Sequence, residues 1–194
     1  MQARLAARDI ACRRGDRLLF RGFSADLDPG EALHVTGPNG CGKSSLLRIL
    51  AGLLRAEAGS VAREGQVGLV EERTALAENR TLGEALTFWQ RLDGGAAQSE
   101  HALNVLGLKH LRDIPVRYLS TGQRKRAALA RLVRQDAAIW LLDEPLNGLD
   151  GEGMAAILRL VGSHRDRGGI CVIASHLPLD LPGLRRCDLP RYAA

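Results

Sequence analysis

The sequence predicts an α/β protein built around a largely parallel sheet, and three observations carry that expectation. Residues 138–142 and 170–174 are continuous apolar runs, the pattern of strands covered on both faces. Segments with apolar residues at helical spacing alternate with the strand-like segments, as a parallel sheet requires. A glycine-rich stretch at 37–44 lies between a short apolar strand and an amphipathic helix, the setting of a phosphate-binding loop.

Taken in order, residues 5–11 alternate weakly and 23–27 clearly, so both read as strands of a half-buried antiparallel sheet. Asp28-Pro29-Gly30 is a turn, and 32–36 is a short buried strand ending at the glycine-rich stretch. Residues 43–52 carry Leu46, Leu47, Ile49 and Leu50 on a helix that Gly52 ends. Short strands follow near 60–63 and 66–70. Thr81-Leu82-Gly83-Glu84 fits a capping box, in which Thr and Glu satisfy free amides at a helix start. A second helix near 97–106 ends at Gly107. Residues 70–118 are thus expected to form a helical subdomain inserted into a nucleotide-binding core of 1–69 and 119–194, all within one domain. Helices at 127–134 and 151–167 then alternate with the two buried strands. The tail beyond His176 is short and proline-rich, with no room for an added regulatory domain.

The chain has 194 residues, 45% hydrophobic and 25% charged, ordinary for a soluble globular protein with a sizeable core. No apolar stretch approaches the roughly 18–20 residues of a membrane helix, so any membrane role has to come through a partner. Cys12, Cys41, Cys171 and Cys187 show neither a CxxC pair nor metal-ligand spacing, which points to free thiols in a reducing compartment. Net charge is +5, carried almost wholly by arginine; the lysines are Lys43, Lys109 and Lys125. The densest basic run, Gln123-Arg124-Lys125-Arg126, lacks interleaved aromatics and reads as a solvated helix face rather than a nucleic-acid surface.

Gly37-Pro38-Asn39-Gly40-Cys41-Gly42-Lys43-Ser44 fits G-x-x-x-x-G-K-[ST], with Ser45 following. Its glycines let successive N–H groups face phosphate oxygens at the positive end of the next helix. Lys43 would reach the β- and γ-phosphates, and Ser44 would bind Mg²⁺. Asp143-Glu144 ends an apolar strand, which places both carboxylates at the sheet edge where nucleotides bind. Asp143 would orient Mg²⁺, and Glu144 would polarise the water that attacks the γ-phosphate. Ser120-Thr121-Gly122-Gln123 starts a helix and offers a further anion site.

The order of these motifs resembles the ATP-binding cassette (ABC) ATPases. Leu119-Ser120-Thr121-Gly122-Gln123 is similar to that family's signature turn, with Thr121 in place of a glycine. The resemblance implies a P-loop NTPase ABC nucleotide-binding domain, with an antiparallel β subdomain and an inserted α-helical subdomain. It implies ATP and Mg²⁺ as ligands. It further implies a homodimer in which Ser120, Thr121, Gly122 and Gln123 contact, across the interface, ATP held on the partner's phosphate loop. Asp150, in Asn147-Gly148-Leu149-Asp150, resembles the family's D-loop aspartate, and His176, after Ser175, resembles its switch histidine, making Glu144 and His176 the catalytic pair. Two departures stand out. Val70-Glu71-Glu72-Arg73 lacks the family's metal-sensing glutamine, leaving Glu72 or Arg73 there. The aromatic that stacks on adenine is replaced by Arg13 or Arg14.

Residues 12–22 and 119–126, with Thr87-Phe88-Trp89 and Ile114-Pro115-Val116, look like the haem-exporter ATP-binding subunits of cytochrome c maturation. That likeness implies a peripheral protein on the cytoplasmic face of the bacterial inner membrane. Its partners would be a second copy and multispanning subunits of the maturation complex, and its turnover would release a haem-loaded chaperone. Direct haem binding and nucleic acid are not expected, and His101, His110 and His164 read as surface or structural. The alternatives are the ATPase of another small ABC exporter and a soluble non-transport ABC ATPase. A tandem second cassette or coiled-coil insertion would favour the last, and the sequence shows neither.

Overall fold

A computed structural model describes residues 3–93 and 99–193. Its centre is a parallel sheet in the spatial order β5 (Val67–Val70), β6 (Ile139–Asp143), β7 (Ile170–Ala174), β3 (Ala32–Thr36) and β8 (Leu184–Asp188). Side chains alternate along a strand, so Ile139 and Leu141 leave one face of β6, and Trp140 and Leu142 the other. Both sets are buried, which is why the sequence there is apolar without interruption.

The first face packs on α1 (Lys43–Ala51), through Leu46, Leu47, Ile49 and Leu50, and on an antiparallel sheet. That sheet has the order β2 (Arg17–Leu27), β1 (Arg4–Arg14), β4 (Ala58–Glu64), and adds Phe20 and Phe23 to the same core. The second face packs on α4 (Thr121–Gln135) and α5 (Gly151–Asp166). There the Trp140 ring stacks on the buried His164 imidazole, with centroids 3.9 Å apart and planes 9° from parallel.

The capping box forms at the start of α2 (Leu82–Asp93): Glu84 N–H donates to Thr81 Oγ1 at 3.2 Å and Thr81 N–H to Glu84 Oε2 at 3.0 Å. The next helix, α3, is described over Ser99–Val105, and its expected start at Ala97 lies outside the described residues. Helices α2 and α3 rest on α4. The Arg131 guanidinium lies 3.4 Å from the centre of the Trp89 ring, whose N–H donates to Ala75 O at 2.7 Å.

Three elements differ from expectation. The antiparallel strands β1 and β2 are each 11 residues long, because pairing continues through an arginine-rich end where apolar alternation has faded. Helix α4 starts six residues earlier than its apolar pattern, at the Ser120 cap. The proline-rich tail supplies β8, whose sequence Leu-Arg-Arg-Cys-Asp has no strand pattern. It forms because the edge of β3 offers a row of unpaired backbone groups. Among the described residues no helix is long and apolar enough to cross a membrane.

Candidate active site

Sheet register assembles the site. Asp143, Ala174 and Val35 lie level on β6, β7 and β3, so Glu144, Ser175 and Thr36 follow side by side at the carboxyl edge. Glu144 N–H donates to Ala174 O at 2.8 Å, and Ser175 N–H to Val35 O at 3.2 Å. Behind this edge the His34 ring meets Ser175 O at 3.1 Å, and burial lowers its pKa from the ordinary histidine value.

The loop at 37–44 leaves β3 and enters α1. Gly37, Gly40 and Gly42 have φ of +144°, +80° and +111°, the region glycine adopts freely. Space also excludes side chains: a Cβ on Gly37 would stand 2.7 Å from Cys41 Sγ, and one on Gly42 2.9 Å from the Phe20 ring. No side chain caps α1 and its first turn holds no acid, so its leading amides are free for an anion. Pro38, Asn39, Gly40 and Ser44 are exposed on this rim, with Cys41 and Ser45 half-buried.

Lys43 is buried within the loop. Its Nζ donates to Gly37 O at 2.8 Å and Pro38 O at 3.4 Å, and lies 3.4 Å from Glu144 Oε1. The other carboxylate oxygen, Oε2, meets His176 Nδ1 at 3.0 Å. Lysine, carboxylate and imidazole therefore form a continuous line across the mouth of the loop. Glu144 holds this place from a left-handed backbone, φ +46°, uncommon for a residue with a side chain. Lys125 steadies that conformation: its buried Nζ donates to Glu144 O at 2.6 Å. Asp143 lies beneath, and burial raises its carboxyl pKa while hydrogen bonding from Ser44 pulls it down; Glu144 and Glu72 add to the rise and Lys43 opposes it. Asp143 Oδ1 is buried without a hydrogen-bond partner. An orphaned acidic oxygen beside a serine hydroxyl suits a hard divalent cation.

Ser120 caps α4 in a second capping box: Gln123 N–H donates to Ser120 Oγ at 3.2 Å, and Ser120 N–H to Gln123 Oε1 at 2.8 Å. A Cβ on Gly122 would come within 3.0 Å of the Leu149 side chain and 3.1 Å of Gly148 O. The signature turn therefore lies directly on the loop before α5, where Asp150 caps Gly153 N–H at 2.8 Å. Thr121 is exposed and faces Gly148. Among the described residues no hydrogen bond or ion pair joins 120–123 to the phosphate loop.

The ABC transporter family model matches residues 20–147, from within β2 to just beyond Asp143-Glu144. The chain belongs to the ABC transporter family, as an ATP-binding domain. ABC membership and the relatives below make it an ATPase. A Novosphingobium aromaticivorans protein named cytochrome c biogenesis ATP-binding export protein CcmA is 55% identical, with 97% of this chain and 96% of that one covered. A protein of the same name from Zymomonas mobilis is 47% identical, covering 99% of this chain and 87% of its own length. Among solved structures, an ABC transporter ATP-binding protein from Pyrococcus furiosus shares the fold, with TM-score 0.87 at 21% identity over 98% of this chain and all of that one.

Glu72 and Arg73, the two candidates at the missing glutamine of the ABC pattern, have different surroundings. Glu72 acts electrostatically on both Asp143 and Lys125, whereas Arg73 lines a separate cleft with Leu53, Leu76 and Arg131. The basic run at the start of α4 is not the solvated face expected from sequence. Lys125 is buried, Arg124 donates to Leu119 O and Arg117 O, and Arg126 donates to Leu106 O. These cations neutralise carbonyls that the turns leave unpaired. Lys125 is the site residue that sequence reasoning missed; a lysine in an arginine-dominated chain was its one signal. His110 is exposed and His164 is buried in the core, while the side chain of His101 lies outside what is described.

Proposed function

We propose that the chain is the ATP-hydrolysing subunit of a membrane ABC complex for cytochrome c maturation, acting at the cytoplasmic face of the inner membrane. The observation that carries this reading is 55% identity, along nearly the whole of both chains, with a protein named for cytochrome c biogenesis and export. The active unit is a homodimer with multispanning partners. Each ATP is sandwiched between one copy's phosphate loop, Gly37 to Ser45, and the other copy's Ser120–Gln123. Asp150 joins the two sites, and residues 70–118 form the helical subdomain.

The chemistry follows from the geometry. Loop amides and Lys43 neutralise the β- and γ-phosphates, which requires Lys43 Nζ to exchange its Gly37 and Pro38 carbonyls for phosphate oxygens. Ser44 and Asp143 are the residues that would hold Mg²⁺, which supplies charge neutralisation at the phosphates. Glu144 accepts a proton from the attacking water as its oxygen bonds to the γ-phosphorus and the bond to the bridging oxygen breaks, releasing ADP and phosphate. His176 holds Glu144 through Oε2 and stands where it can contact the transferred group.

Deletion of the gene followed by haem staining for c-type cytochromes tests the cellular role. Loss of staining, restored by the wild-type gene and not by Glu144→Gln, is expected. Normal staining would leave an ATPase of another small exporter.

A further inference from the structure

The strand β3 reads Ala-Leu-His-Val-Thr, and His34 is its one buried polar side chain, 2% exposed. Alternation puts the ring on the Ala32 face, in an apolar core that also takes Ile173, level with His34 on β7. A polar ring there costs stability unless it is hydrogen-bonded, and Nδ1 is buried without a partner. Among the described residues the ring's one hydrogen bond joins Nε2 to Ser175 O at 3.1 Å. A carbonyl only accepts, so Nε2 carries the proton and donates.

That bond replaces a lost rung of the sheet. Ser175 N–H donates to Val35 O at 3.2 Å, and the next parallel step would bring the Gly37 amide to Ser175 O. At Gly37 the chain turns instead into the phosphate loop, with φ +144°. Among the described residues no backbone amide donates to Ser175 O. His34, three residues earlier on the same strand, supplies the missing donor. Ser175 is thereby held at its N–H, at its carbonyl and at its hydroxyl, which accepts from Leu177 N–H at 3.0 Å.

The Ser175 carbonyl and the His176 N–H are the two ends of one planar peptide group. Fixing the carbonyl end fixes the direction of the amide end, which donates to Glu144 Oε2 at 3.4 Å. The His176 ring meets the same oxygen at 3.0 Å. A chain of hydrogen bonds thus runs from His34 through the peptide to Glu144, and a donor on the carbonyl strengthens the amide at the other end. Glu144 Oε2 is engaged twice. Its Oε1 has no hydrogen-bond partner among the described residues and lies 3.4 Å from Lys43 Nζ. Once Lys43 turns to the phosphates, Oε1 is the oxygen left for water.

We propose that His34 is a positioning residue for ATP hydrolysis: through the Ser175–His176 peptide it orients Glu144, so that Oε2 is held and Oε1 is presented to the attacking water. This rests on the roles of Glu144 and His176 given above. It ties the strand that carries the phosphate loop to the carboxylate across from it.

Phosphate release and separately measured ATP affinity of the full-length protein test it. His34→Leu, which suits the apolar surroundings, should lower kcat by about 5- to 50-fold with ATP affinity within about twofold of wild type, since the lost bond orients the carboxylate and not the nucleotide. His34→Gln, whose amide is a donor of similar reach, should return kcat to within about threefold of wild type. In a Glu144→Gln background, His34→Leu should change the residual rate by less than about twofold, because a residue that acts through Glu144 has nothing further to lose. Two-bond ¹H–¹⁵N spectra of the wild-type protein should show His34 as the Nε2–H tautomer, a readout independent of how any variant folds. An Nδ1–H ring, an unchanged kcat in His34→Leu, an equal loss in His34→Gln, or an equal loss in the Glu144→Gln background each overturns the proposal. Wild-type turnover by Glu144→Gln alone overturns the reading of Glu144 instead.

Discussion

At the scale of single residues, Glu144 is the most constrained position in the site. Its carboxylate touches Lys43 and His176, its carbonyl takes the buried Lys125 ammonium, and its backbone is left-handed. Glu144→Gln is expected to keep ATP affinity while hydrolysis falls by about 10²-fold or more, measured as phosphate release under saturating ATP. Rapid turnover by that variant would remove Glu144 from its role at the attacking water. Lys125→Met leaves a buried carbonyl without its charged donor, a loss of about 1.5–3 kcal/mol. Thermal melting should drop by several degrees, and kcat should fall more than ATP affinity, because the displaced group is the one facing water. None of this coupling was legible beforehand. The motif names Glu144, but which cation reaches its carbonyl depends on the path of α4 across the sheet edge.

At the scale of elements, helix starts were the most readable features. Thr81 with Glu84 and Ser120 with Gln123 both form reciprocal caps, since a cap depends on residues three apart and on little else. Buried strands were readable for a similar reason, because burial on both faces leaves an unbroken apolar run. Edge strands were not. The β8 strand is polar and forms through an offer from β3 rather than through any pattern of its own. Tight approaches between elements were equally hidden. A Cβ on Gly169 would stand 2.1 Å from His164 Nε2. Gly169→Ala should therefore destabilise by about 1–3 kcal/mol through overpacking, read as a lower urea midpoint with an unchanged slope.

At the scale of the whole molecule, stability should depend on pH through the Trp140–His164 stack. Burial lowers the His164 pKa from 6.5 to about 4, with the nearby Arg167 charge adding to it. Well above pH 6.5 the ring is neutral in folded and unfolded chains, and its contribution is complete. Between 6.5 and about 4 the unfolded chain takes a proton that the folded one refuses, so stability falls, by on the order of 3 kcal/mol. His34, also lowered, acts in the same direction, whereas Asp143, raised by burial, acts in the opposite one. Urea midpoints at pH 7.5 and 5.0 should therefore separate more widely for wild type than for His164→Phe; equal separation in both would exclude His164 as the source. Assembly is the other property of this scale: Glu144→Gln with ATP should elute as a dimer, and Lys43→Ala should not. Sequence alone determined the α/β class, the glycine-rich turn between β3 and α1 and the carboxylates at the strand end, because each depends on local spacing or on one strand's burial. Tertiary structure alone decided that β5 joins the parallel sheet while β4 joins the antiparallel one, and that Lys125 points inward. Those outcomes follow from register and packing between segments far apart in the chain, and local residue patterns carry no record of which distant surface they will meet.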